Sequence, residues 1–337
     1  MAQQRDRQRA TRLRTWSAFG DLGRRPDEYE VLTHGMNHTM GATPLELPPE
    51  AHGNRWLREH RDGMALTVPD WDAFRDPDRV TYGSYVAMQD DRETYVEGLL
   101  ERFDKEQHDE RLTARQLDLL ALAVTPARYL VHGQQMLSAY LQQLAPGSYI
   151  ATCAAFQTAD QLRRIQLLAY RTTQLARTHP ARAFGLAERT TWEHQPDWQP
   201  FRRATEEALV AYDWDVALVA FQLVVKPVAD AVLLHGLARR LDTVGVPLDS
   251  LVTDDLGRDA HRAARWTRAL LKFLTDAAPG NRAVLQGHLD NRAAHGTAMA
   301  AAGARLLGAP DVEATALETW DELLSAGGLA RPRTPQS

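Results

Sequence analysis

The chain has 337 residues and a formal net charge of −5, with 44% hydrophobic and 25% charged residues. That balance is ordinary for a globular protein long enough to bury a large core, and its negative sign argues against a nucleic-acid partner. A single cysteine, Cys153, excludes a disulfide framework and a cysteine-rich metal site.

Residues 1–79 open with a basic stretch (Arg5, Arg7, Arg9, Arg12, Arg14) that lacks the apolar region of a secretory signal. Breakers such as Gly35, Gly41, Pro44, Pro48 and Pro49 follow, with Trp16, Phe19, Tyr29, Trp56, Trp71 and Phe74 scattered among them. This reads as a mostly irregular arm whose aromatics anchor it on its own body or on a partner. From residue 80 the pattern turns helical. Tyr82, Tyr85, Val86, Tyr95, Leu99, Leu100 and Phe103 fall mostly three, four or seven apart. Thr113 is placed to cap a segment through Leu117, Leu120 and Val124, and Pro126 opens another that stops at Pro146 and Gly147. Residues 149–177 carry a stripe of Leu162, Ile165, Leu168, Thr172 and Leu175, and Pro180, Pro196 and Pro200 break the connection after it.

Trp214 to Leu234 is apolar nearly all round, with Lys226 and Asp230 as the charged exceptions. A helix without a polar face belongs in the middle of a bundle, and Pro227 should kink it. Its longest apolar run, Val216 to Leu223, includes Gln222 and falls short of the roughly 20 residues of a membrane span. Residues 249–276 return to amphipathic spacing, 281–307 read as one Ala-rich helix, and 312–325 as a last one. No convincing period-2 stretch occurs. The expectation is an all-α bundle of about eight to ten helices. It divides into an arm (1–79), the bundle (80–309), and a C-terminal helix and tail (310–337), in a cytoplasmic protein with no membrane span.

A large bundle with long central helices invites a test for a di-iron carboxylate site. Such a site takes a Glu from each of two helices and Glu-x-x-His from each of two others, a spacing that aims both ligands at one metal pair. None of the twelve histidines has Glu or Asp three residues before it. His34 and His38 are four apart but flank Gly35 in the breaker-rich arm, so two ordinary polar residues outweigh a zinc pair. Cys153 lies in an apolar helix and reads as an inert thiol. Trp192, Trp198 and Phe201 read as packing. No glycine-rich phosphate loop or serine elbow is present. A chain this long with no catalytic constellation fits a subunit better than a stand-alone enzyme.

Several stretches are similar to the β subunits of the soluble di-iron multicomponent monooxygenases, the toluene, phenol and alkene family. They include Arg25-Pro-Asp-Glu-Tyr-Glu30, Asp70-Trp-Asp-Ala-Phe-Arg-Asp-Pro-Asp78 and Tyr129-Leu-Val-His-Gly-Gln-Gln-Met136. Gln157-Thr-Ala-Asp-Gln-Leu-Arg163 and Val224-Val-Lys-Pro227 continue the likeness, which runs in order from about residue 13 to 305. The resemblance implies a ferritin-like fold diverged from the catalytic α subunit. It also implies that Gln134, Gln161 and Arg164 stand where that subunit has two Glu ligands and a His. The second Glu-x-x-His has two candidate counterparts, Asp255-Leu-Gly-Arg258 and Asp259-Ala-His-Arg262. If Gln161 and Arg164 are not ordinary exposed helix residues, Gln, Arg and Asp contacts should fill the emptied site, because buried polar groups must find partners.

The family thus implies no catalytic residue, metal or cofactor in this chain, with the di-iron centre in a partner α subunit. The assembly it implies is (αβγ)2, served by an effector protein, a Rieske ferredoxin and an NADH reductase. Such a complex oxygenates an aromatic hydrocarbon or alkene with O2. The alternative is an active ferritin-like oxygenase in its own right, against which the missing Glu-x-x-His pairs count.

Overall fold

The computed structural model describes residue 19, residues 22–36 and residues 51–332, and among these residues there is no strand. Short helices come first. Helix α1 (Glu28–Thr33) is started by a capping box in which Asp27 and Glu30 each satisfy the other's backbone N–H. Helix α2 (His52–Leu57) runs into a wide turn at Arg58–Asp62. The described part of the arm lies on its own bundle. The Tyr29 hydroxyl accepts from the Asp76 N–H, and Trp56 Nε1 donates to the Tyr140 hydroxyl at 3.2 Å. Trp71 meets Trp214 edge-on, and Phe74 meets Phe273. Trp16 and His38 lie outside the described residues.

Helices α3 (Tyr82–Lys105) and α4 (Ala114–Leu119) both begin at a threonine capping box, at Thr81 and at the expected Thr113. Helices α5 (Ala127–Gln143) and α6 (Ser148–Thr178) form a long antiparallel hairpin across the Pro146–Gly147 turn. Two shorter helices, α7 (Glu188–His194) and α8 (Gln199–Leu209), fill the proline-broken connection. Trp192, Trp198 and Phe201 stack in series there as packing.

Helix α9 (Trp214–Thr243) is the only described helix long and apolar enough to cross a membrane, and 94% of its apolar window is buried in the bundle. Its length passes that test because Gln222, Lys226 and Asp230 are too few to interrupt it. Pro227 does not break it. Widened turns at Val219–Val225 and Ala231–Gly236 flank the proline. The Leu223 carbonyl, denied the usual N–H four residues on, accepts a hydrogen bond from the indole of Trp320.

Helix α10 (Pro247–Ala277) packs antiparallel to α9. The expected single helix over 281–307 is two, α11 (Asn281–Asp290) and α12 (Ala293–Leu307). The chain turns at Asn291 and Arg292, directly after Asp290, where short polar side chains favour local bonds over a continued helix. Helix α13 (Asp311–Ser325) closes the bundle, with Trp320 fully buried against Gly296 of α12. One hydrophobic core takes in Tyr29 and Phe74 of the arm, the central helices, and Val312 and Trp320 at the C-terminal end.

Candidate functional site

The middle of this apolar bundle is charged. Helices α3, α6, α9 and α10 each turn polar residues inward, at spacings of three and four that share a helix face. From α6 come Asp160, Gln161, Arg163 and Arg164; from α10, Asp255, Asp259 and Arg262; from α9, Lys226 and Asp230. All nine are buried.

Their contacts form one network. Arg163 donates to Asp255 at 2.8 Å, to Asp259 at 3.0 Å, and to Glu93 of α3. Arg92 also donates to Asp255, at 3.0 Å. Asp160 accepts from Arg262, from the Tyr85 hydroxyl at 3.0 Å and from Gln89 at 3.2 Å, and Gln89 donates to Asp259 as well. Lys226 pairs with Asp230 one turn along α9. Arg164 faces Asp230 at 3.5 Å and donates to the Leu233 carbonyl at 3.2 Å. Between these groups remains a void of about 10 Å³, lined by Asp160, Gln161, Arg164, Lys226, Asp230 and Asp259 among others. That is about the room of one water.

Burial sets the protonation of the network. It pushes the Asp160 carboxyl up to about 7, against the opposing pull of Arg262. Burial also draws the Arg164 guanidinium below its ordinary range, with Asp230 as its counterweight. Burial acts on Arg163 in the same direction, but the Glu93, Asp255 and Asp259 carboxylates outweigh it and hold that charge firmly.

Of the positions singled out in the sequence, Gln161 and Arg164 therefore meet at the void, and neither is an exposed helix residue. Gln134 does not line it. That residue is fully buried on α5, and neither atom of its amide has a hydrogen-bond partner. Of the two candidate stretches on α10, Arg258 is exposed, whereas Asp255, Asp259 and Arg262 are buried, Asp255 on Arg163 and Arg262 on Asp160. Tyr85, Gln89 and Lys226 were not anticipated as members of the site. Lys226 and Asp230 had a legible signal, as two charges four apart in an otherwise apolar helix.

The donor set does not fit a pair of iron ions. Guanidinium and ammonium groups have no lone pair to offer a metal, and three of them border the carboxylates that could. Among the described residues no group of three or more His, Cys, Asp or Glu side chains is arranged to hold a metal ion. Away from the centre, His34 sits between the rings of Phe19 and Tyr149, and Cys153 is a buried free thiol.

The helical bundle has relatives. Residues 55–278 match the Methane/Phenol/Alkene Hydroxylase family. The chain belongs to that family. It is 37% identical over 280 residues to the hydroxylase component subunit beta of the toluene-4-monooxygenase system of Ectopseudomonas mendocina, covering 82% of this chain and 85% of that protein. A solved structure of toluene 4-monooxygenase with toluene in its resting active site superposes with a TM-score of 0.83 at 35% identity. It covers 89% of this chain and 99% of the matched one. Phenol hydroxylase from Pseudomonas sp. OX1 shares the fold at a TM-score of 0.82 and 20% identity, over 95% of both chains. The architecture is thus the ferritin-like bundle of the di-iron hydroxylase subunits.

Proposed function

We propose that this chain is the non-catalytic structural β subunit of a multicomponent hydrocarbon monooxygenase hydroxylase, scaffolding a di-iron α subunit in the cytoplasm. The observation that carries the proposal is the cation-filled centre. Where a carboxylate and histidine metal site would need ligands, the void between this chain's central helices is bordered by Gln161, Arg164 and Lys226, with Arg262 on Asp160 beside it. Gln134, Gln161 and Arg164 are read as vacated ligand positions. The assembly is an (αβγ)2 hexamer with iron in its α subunits, supplied with electrons from NADH through a reductase and a Rieske ferredoxin and tuned by an effector protein. Its substrate is an aromatic hydrocarbon or an alkene.

The N-terminal arm, residues 1–79, is read as a partner-contacting segment, and an open apolar face in its described part supports that reading. Val31, Leu32 and Met36 on and just after α1 are exposed although large and apolar. The test is to co-express this chain with the α and γ reading frames and measure metal per subunit after separation. Iron should follow the α subunit, and Val31→Asp with Leu32→Asp should release this chain from the complex. A stable monomer that retains about two irons per chain would sink the proposal, since that is the loading of an active ferritin-like oxygenase.

A further inference from the structure

A second cavity, of about 330 Å³, opens between α9, α10 and α13 and shares Lys226, Asp230 and Ala260 with the central void. We propose that it binds a small organic anion, a carboxylate on an apolar body, with Arg268 as its counter-charge. The assignment is independent of the subunit role.

Unmatched donors carry the argument. Arg268 lines the cavity half-buried, and among the described residues its guanidinium has neither an ion pair nor a hydrogen bond. Gln222, 1% exposed, has an amide nitrogen with no acceptor. His235 has an unpartnered Nε2, and burial followed by its neighbour His261 draws the imidazole down toward the neutral form. A buried amide N–H without an acceptor is uncommon, and beside an unpaired guanidinium and an unpartnered imidazole nitrogen on the same cavity it points to a missing oxygen-rich group. The charges on the floor do not supply it. Lys226 already holds Asp230 through one carboxylate oxygen, while the other oxygen, the single leftover acceptor, faces Arg164. Glu322 lies exposed at the rim, where water screens it. Ala231, Ala260 and Ala264 give the walls small apolar surfaces that accept a flat hydrocarbon body. The volume lies at the small end of ligand pockets, which limits the guest to roughly ten heavy atoms.

Benzoate is a suitable probe, and the readout must report this cavity alone because the whole complex contains other aromatic sites. A trifluoromethyl tag on Thr319→Cys, at the cavity wall, provides that signal in the co-expressed complex by fluorine NMR. Benzoate should shift the tag resonance saturably, with a Kd near about 1 mM. Benzyl alcohol should bind at least about tenfold more weakly, as should benzoate itself when Arg268→Ala is added. Ala264→Met, which fills the cavity without touching a charge, should abolish the shift. A resonance that benzoate leaves unmoved would overturn the proposal. So would equal binding of acid and alcohol, or an Arg268→Ala titration that overlays its parent.

Discussion

Replacing Gln161 by Glu and Arg164 by His rebuilds a Glu-x-x-His on α6 and asks whether the centre can be turned back into a metal site. Both positions are buried and line the central void. Removing Arg164 deletes its hydrogen bond to the Leu233 carbonyl and its approach to Asp230. Asp230 is not orphaned, because Lys226 still holds it. That part of the change therefore costs about 1–3 kcal/mol, the range for a lost hydrogen bond to a charged group. The new carboxylate is the heavier burden. It enters a space already holding Asp160, Asp230 and Asp259, with Arg262 committed to the first and Lys226 to the second. An uncompensated buried charge brings the total to about 3–5 kcal/mol. For a chain of 337 residues that is a Tm loss of roughly 4–7 °C. Differential scanning calorimetry of the co-expressed complex measures it, and metal analysis of the separated chain follows. A Tm within about 2 °C of wild type, or stoichiometric iron in this chain, would refute the reasoning.

Arg163→Met should cost about 3–5 kcal/mol, because Asp255 and Asp259 lose the guanidinium they share; chemical denaturation of the complex checks it, and a change under about 1 kcal/mol contradicts it. Gly296→Ala would place a methyl carbon 2.3 Å from the Trp320 ring, so a loss of about 1–3 kcal/mol is expected by thermal melt, whereas an unchanged melt would show that the ring can shift freely. The Asp160 carboxyl lies near 7 in the fold and near about 3.9 in an unfolded chain. The folded state therefore holds the extra proton between those values, and this group's contribution to stability is lost as pH rises through that window. Asp160→Asn should shrink the fall in Tm between about pH 5 and 7, and an unaltered slope would exclude Asp160 as its source.

Periodicity made the long helices legible, since each of α3, α5, α6, α9 and α10 carries an apolar stripe or an apolar whole. The capping threonine at Thr113 and the stop at Pro146 and Gly147 were equally plain, because they act through local backbone chemistry. The break between α11 and α12 was missed because no glycine or proline marks it, only the polar run Asp290-Asn291-Arg292. The path of the arm was also hidden. Trp56, Trp71 and Phe74 mark anchors, but their partners Tyr140, Trp214 and Phe273 are far away in the chain. The centre was half visible. The family resemblance points to Gln161 and Arg164, which line the void, and to Gln134, which does not, whereas Tyr85 and Gln89 sit on a helix that reads as merely amphipathic, and only tertiary packing turns them toward Asp160.

The charge network also bears on why this centre is not simply apolar. Replacing buried ion pairs with packed hydrophobic residues is often neutral or stabilising, so stability alone is a weak reason to keep them. Geometry offers a better one. In a metal-bearing bundle, cations between four helices hold carboxylates from opposite sides at fixed separations. Here Arg163 spans Glu93 on α3 and two aspartates on α10, and Arg262 reaches from α10 to Asp160 on α6. Each guanidinium ties helices together by directional bonds, which hydrophobic contacts do not supply. These ion pairs therefore give the helices defined spacing and register. A subunit whose work is to present a rigid helical surface to a catalytic partner depends on that spacing more than on the last few kcal/mol of stability.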